Sequence, residues 1–120
     1  MVQQLKTEHD FEQILQNSFQ KPVFIFKHSS YCAVSSYTWN EFQRYAAEES
    51  AAEYWKVLVI EDRKLSKQIA TITRVPHESP QVILLFQGKA VWHASHHLIT
   101  ARLLGDQLEK SRSIGLRPSA

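Results

Sequence analysis

The sequence predicts one α/β domain built on a central four-stranded mixed sheet flanked by helices. Three observations carry that expectation. Short runs rich in β-branched and aromatic residues alternate with segments of helical period. About thirty residues of helical crossover separate the first two strands, which must therefore be parallel. The last two strands are joined by a tight glycine-bearing hairpin, so they run antiparallel.

Taken in order, Thr7-Glu8-His9-Asp10 opens the first helix with a capping-box pattern, and Phe11, Ile14 and Leu15 share one face before the helix fades by Ser18. Pro22 to Lys27 is an apolar strand with proline at its first position, where it is tolerated. The polar turn His28-Ser29-Ser30-Tyr31 leads to Cys32, and a long helix is expected from Ala33 to about Glu53, with Trp39, Phe42, Tyr45 and Ala46 on its core side. Trp55 to Ile60 reads as a strand covered on both faces. Asp62 is placed to cap a third helix buried through Leu65, Ile69 and Ile72. Gln81–Phe86 and Ala90–His93 form the hairpin around Gln87-Gly88-Lys89. Ser95 is placed to cap the last helix, whose core side is Leu98, Ala101, Leu104 and Leu108. Residues 1–110 make the domain, and 111–120, polar and ending near Arg117-Pro118, read as a frayed tail. The order α-β-α-β-α-β-β-α is the layout of the thioredoxin-like fold.

Composition excludes several classes. A chain of 120 residues, 43% hydrophobic, can bury its own core but cannot build two domains. Fourteen basic against twelve acidic residues give +2, too mild for a nucleic-acid footprint. One cysteine forms no intrachain disulfide and no zinc site of several thiolates. The apolar run Val57–Ile60 is far below membrane-spanning length, and Met1–Lys6 lacks the apolar stretch of a signal peptide, so a cytoplasmic protein is expected.

Cys32 stands at the start of the longest helix, where backbone N–H groups lack intrahelical partners and the macrodipole is positive. Both favour a thiolate, the nucleophilic form. Elsewhere a lone cysteine is more often a small buried hydrophobe; this position favours a reactive thiol. Ser35 occupies the second position of a C-x-x-C pair, with a hydroxyl placed to donate to the sulfur, and Lys27 and His28 add positive potential. Ser79-Pro80, directly before a strand, is where this fold places a cis-proline loop whose preceding backbone pairs with an extended substrate. An ordinary trans proline starting a strand is the alternative, and Pro76 is the rival candidate, although the strand follows Pro80 directly. His77 is expected to reach the thiolate or orient a ligand, with an idle loop histidine as the alternative. Tyr31 either stacks on a ligand or shields the cysteine. His93, His96 and His97 straddle a strand-to-helix junction without an acidic partner close in sequence, so no metal site is expected. Trp39, Trp55 and Trp92 read as packing residues.

Four blocks, Lys27 to Ser36, Asn40-Glu41-Phe42, His77 to Gln81 and Trp92 to His96, resemble the monothiol bacilliredoxin-like family. These are thioredoxin-fold proteins that work with the small thiol bacillithiol. The resemblance spans nearly the whole chain except the tail, and His-Glu-Ser-Pro-Gln is its most specific block. It implies a thiol–disulfide oxidoreductase that removes bacillithiol from client proteins through Cys32. Bacillithiol is then co-substrate, with no tightly bound cofactor. The malate and glucosamine of bacillithiol suit a helix N-terminus with Lys27, His28 or His77 nearby. Ala33 departs from the family's usual proline after the cysteine, and Phe26 stands where dithiol thioredoxins carry a buried acid. Two other functions stay open: a non-catalytic adaptor holding an extended client segment at the Pro80 loop, and iron–sulfur binding, which the absence of Cys-Gly-Phe-Ser ranks last.

Overall fold

The computed structural model describes residues 1–115, in the order β1 (Val2–Gln4), α1 (Glu8–Asn17), β2 (Val23–His28), α2 (Ala33–Glu48), β3 (Glu53–Leu58), α3 (Arg63–Thr73), β4 (Gln81–Phe86), β5 (Lys89–Ser95), a 3₁₀ turn (His96–Leu98) and α4 (Ala101–Gly115). The strands lie side by side as β1-β3-β2-β4-β5. β2 pairs with β3 in parallel and with β4 antiparallel, as the crossover and hairpin require. The sheet has one strand more than expected. β1 is three residues long, too short and polar to announce itself, and is held parallel to β3 through Val2↔Tyr54.

The central strand shows why the core has two layers. All six residues of β2 are buried, and their side chains alternate between faces. Phe24 and Phe26 pack with Phe42 and Ala46 of α2 and Leu104 and Leu108 of α4. Val23 and Ile25 pack with Phe11 and Ile14 of α1 and Leu65 and Ile69 of α3. The same alternation sends His28 to the α2 side and Lys27 to the α3 side. Every polar group at the end of β2 thus enters one of two separate environments.

Local chemistry explains most boundaries. Thr7 and Asp10 form the complete capping box of α1. Gln87 and Gly88 both have positive φ, the mirror-type hairpin turn, and a Cβ on Gly88 would stand 2.6 Å from the Phe19 ring. α2 stops at Glu48 rather than near Glu53, because Tyr54 enters the core and its hydroxyl donates to the Glu49 carbonyl at 2.7 Å, overriding alanine's helix preference. β3 correspondingly begins two residues early and ends at Leu58, opposite His28, where β2 turns away.

Other expectations need correction. Asp62 makes no side-chain cap, and Ile72 is half exposed, since α3 buries only the face of Leu65 and Ile69. Ser95 makes no cap either: the 3₁₀ turn intervenes, and Thr100 Oγ1 accepts from Leu103 N–H instead. Leu98 and Ala101 are consequently exposed, and Ile99 takes the buried place. α4 continues to Gly115 rather than fraying at 111, with Ser111 buried and its hydroxyl donating to the Leu108 carbonyl. The remainder of the expected tail, 116–120, lies outside the described residues. Among the described residues no helix is long and apolar enough to cross a membrane.

Candidate active site

Cys32 is the N-cap residue of α2, with extended backbone at φ −116°, and is partly exposed. Its N–H donates to the Ser29 carbonyl at 3.2 Å and its carbonyl accepts from Ser36 N–H at 3.1 Å, so the backbone around it is fixed. The sulfur makes no capping hydrogen bond. It therefore stands at the positive end of a sixteen-residue helix with the first-turn N–H groups beside it. Ala33 supplies one of those N–H groups, which the family's usual proline would lack. Tyr31, alongside, is 82% exposed and so flanks the sulfur without burying it.

Ser35 is fully buried, but it does not donate to Cys32 as expected. Its hydroxyl oxygen accepts from Ser29 N–H at 3.0 Å and lies 2.7 Å from His28 Nδ1. The hydroxyl ties the exit of β2 to the first turn of α2, which sets the mouth of the helix. His28 is in turn stacked on Trp39, with ring centroids 5.4 Å apart, and the Lys56 ammonium sits over the Trp39 ring. Burial, with Lys56 nearby, holds the His28 pKa below the usual histidine value, so the imidazole is neutral at pH 7. Trp92 packs against the same core, and the Trp55 indole donates to Glu53.

The Ser79–Pro80 bond is cis. The register Lys27↔Gln81 sets Pro80 beside the end of β2, from which the chain turns to Cys32. The Pro80 carbonyl accepts from His96 N–H, and the Gln81 amide donates to the Pro76 carbonyl, so the loop is pinned at both ends. Between them the Ser79 backbone has no partner among the described residues, leaving a short open edge. The Ser79 hydroxyl and Gln81 Oε1 are buried and unpaired.

His77 makes its side-chain contacts with Lys27 and Ser66. Its Nδ1 lies 3.0 Å from Lys27 Nζ and 3.3 Å from Ser66 Oγ, on the α3 side of the sheet. Lys27 has no exposed surface and also donates to the Ser66 carbonyl at 3.1 Å. Burial lowers its pKa from 10.5 to about 8. Burial and then Lys27 lower that of His77. The Lys27–Ser66–His77 group escaped the sequence reading, although the alternation of β2 carries the signal: it puts Lys27 under α3. Among the described residues, no three histidine, cysteine or acidic side chains converge as a metal site. A wider concavity of about 660 Å³ between α2 and α4 contains neither Cys32 nor the Pro80 loop, so chemistry rather than volume locates the site.

A single thiol at a helix mouth, set against a cis-proline loop on this sheet order, defines a thioredoxin-fold protein of the monothiol kind. Solved structures agree on the fold. A protein described only as a candidate oxidoreductase with a thioredoxin fold is 32% identical, with TM-score 0.81, covering 90% of this chain and 93% of its own. Fasciola hepatica thioredoxin is 16% identical with TM-score 0.76, covering 91% and 98%. The short form of spinach chloroplast thioredoxin f is 16% identical with TM-score 0.74, covering 92% and 93%. Residues 3–104 match the family described as monothiol bacilliredoxin BrxC, and the chain belongs to that family. Family and fold together support a redox function.

Proposed function

We propose that the protein removes bacillithiol from mixed disulfides on client proteins, with Cys32 as the nucleophile. One observation carries the reading: the only cysteine of the chain is the partly exposed N-cap of α2, at the edge where the Ser79 backbone is unpaired. An extended client segment adds to that open edge as a short strand. The Cys32 thiolate attacks the bacillithiol sulfur, a new S–S bond forms, and the client leaves as a thiolate that takes a proton from water. A second bacillithiol, as thiolate, then attacks the adduct, regenerating Cys32 and releasing bacillithiol disulfide. Ser35 cannot perform that second step, because a hydroxyl is no thiol. Ser35 and His28 are positioning residues in this scheme, and Tyr31 flanks the incoming chain. The reading puts the protein in the cytoplasm, where a pool of small thiol stays reduced.

Turnover of a bacillithiolated client in the presence of excess bacillithiol tests the proposal. Client thiol is expected to appear catalytically with the wild type and only at the uncatalysed rate with Cys32→Ser. Equal rates from the two proteins would overturn the enzymatic reading. The adaptor reading also draws on the open Ser79 edge, and it predicts client binding that Cys32→Ser leaves intact with no thiol released.

A further inference from the structure

We propose that the pocket between the end of β3 and the first turns of α3 binds a carboxylate group of the small thiol exchanged at Cys32, with Arg63, Lys67 and His77 as its ligands. The proposal rests on the exchange reading above and adds where the non-reacting end of the thiol is held. The pocket is about 270 Å³ and is lined by Val59, Ile60, Arg63, Ser66, Lys67 and His77. Arg63, Ser66 and Lys67 are spaced i, i+3 and i+4, so α3 turns all three to one face. Neither Arg63 nor Lys67 has a carboxylate partner among the described residues, and no acidic side chain lines the pocket. Val59 and Ile60 give it one apolar wall.

Lys27 beneath the pocket decides what His77 offers. An ammonium only donates, so at 3.0 Å from Lys27 Nζ the His77 Nδ1 must be the acceptor. The ring proton then resides on Nε2, the nitrogen turned away from Lys27, on an exposed side chain. His77 thus keeps an N–H to donate, in a pocket whose lining also includes Arg63 and Lys67. The charged groups acting on it are Lys27, Arg63 and Lys67, opposed by Glu78 alone. Three positive groups against one acid, with a fixed donor, favour an anion with several oxygens. The pocket also begins beside the end of β2, from which the chain turns to Cys32. Val59 N–H donates to the His28 carbonyl at 3.0 Å, and Cys32 N–H donates to the next carbonyl, that of Ser29. A thiol bonded to Cys32 on the α2 side can therefore extend across the carboxyl ends of β2 and β3. The malate carboxylates of bacillithiol have the matching chemistry, and the apolar wall suits its sugar.

Two arms test this. In the first, sodium malate is titrated into the full chain at constant ionic strength and followed by amide and imidazole ¹⁵N spectra. Saturable shifts at Arg63, Ser66, Lys67 and His77 are expected, with His77 in the Nε2–H form. The Arg63→Gln/Lys67→Gln variant should bind malate at least about tenfold more weakly, whereas Arg63→Lys should retain most of the affinity. Shifts that fail to saturate, that map elsewhere, or that sodium chloride reproduces would overturn the site. In the second arm, the same client is loaded with bacillithiol or with cysteamine, which has no carboxylate. The double variant should raise KM about tenfold for the bacillithiol adduct alone. Equal loss on both adducts, or loss on neither, would overturn the assignment. Malate binding at the pocket together with no wild-type exchange would sink the enzymatic reading while supporting the pocket.

Discussion

Replacing Lys27 by methionine measures what it costs to hold an ammonium inside the α3 layer. The side chain is fully buried, and its hydrogen-bond partners are a carbonyl and a neutral imidazole rather than a carboxylate. Burial brings its pKa from 10.5 to about 8. At roughly 1.4 kcal/mol per pH unit, that difference corresponds to about 3 kcal/mol. The sign follows from proton counting. Between about pH 8 and 10.5 the unfolded chain binds the lysine proton and the folded chain does not, so stability rises with pH. Below about pH 8 the lysine is charged in both states and the full cost is present; above 10.5 it is neutral in both and the cost is gone. Methionine does not titrate, so subtracting the variant isolates Lys27 from the tyrosines. Near pH 7 the two proteins should lie within a few kcal/mol. The variant escapes the charge penalty but loses the bonds that Lys27 Nζ donates to the Ser66 carbonyl and His77 Nδ1, at about 1.5–3 kcal/mol each for a charged donor. Urea denaturation followed by tryptophan fluorescence at half-unit steps from pH 7 to 10.5 reads the difference. Wild type should gain about 3 kcal/mol on the variant across that range. A difference that stays flat would refute the buried, uncompensated charge.

Three further outcomes are expected. Phe24→Ala, which empties a fully buried site packed against Phe42, Tyr45 and Tyr54, should cost about 3–5 kcal/mol in denaturant unfolding. Ser35→Ala leaves Ser29 N–H without its acceptor and should cost about 1–3 kcal/mol; it should also slow exchange at Cys32, as a client-release assay will show, while Ser35→Thr restores part of the rate. His28 and His77 both have pKa values below the usual 6.5, so below that pH the unfolded chain binds more protons. Stability should therefore fall as pH drops through 6.5, and less steeply in His77→Gln, as thermal melts in matched buffers would reveal.

The frame of the fold was legible because it rests on strong local signals. The Thr7–Asp10 box, the β2 run and the Gln87-Gly88 turn each appear where the residues put them. Ser79–Pro80 was legible only through topology, since nothing in the dipeptide itself selects the cis bond. What escaped depended on tertiary partners. β1 exists because β3 offers an edge, and α2 ends early because Tyr54 finds the core. In the site, position along the chain located Cys32 but not the direction of its neighbours. Chain position sets Lys27 and His28 near the thiol and the proline loop offers His77, yet the pleat of β2 sends Lys27 to the far face, where it meets His77. Ser35 was expected to serve the sulfur, and the buried His28 ring claims it first. Arg63 and Lys67 carry no signal in the sequence, because i, i+4 cations on a helix usually face only solvent.

A single-turnover experiment bears most directly on Cys32 as the exchanging group. One equivalent of bacillithiolated client is mixed with the reduced protein in the absence of free thiol, and both chains are weighed intact. Cys32 should gain one bacillithiol for each client thiol released, and Cys32→Ser should gain none. A client that keeps its adduct while Cys32 stays reduced would contradict the account.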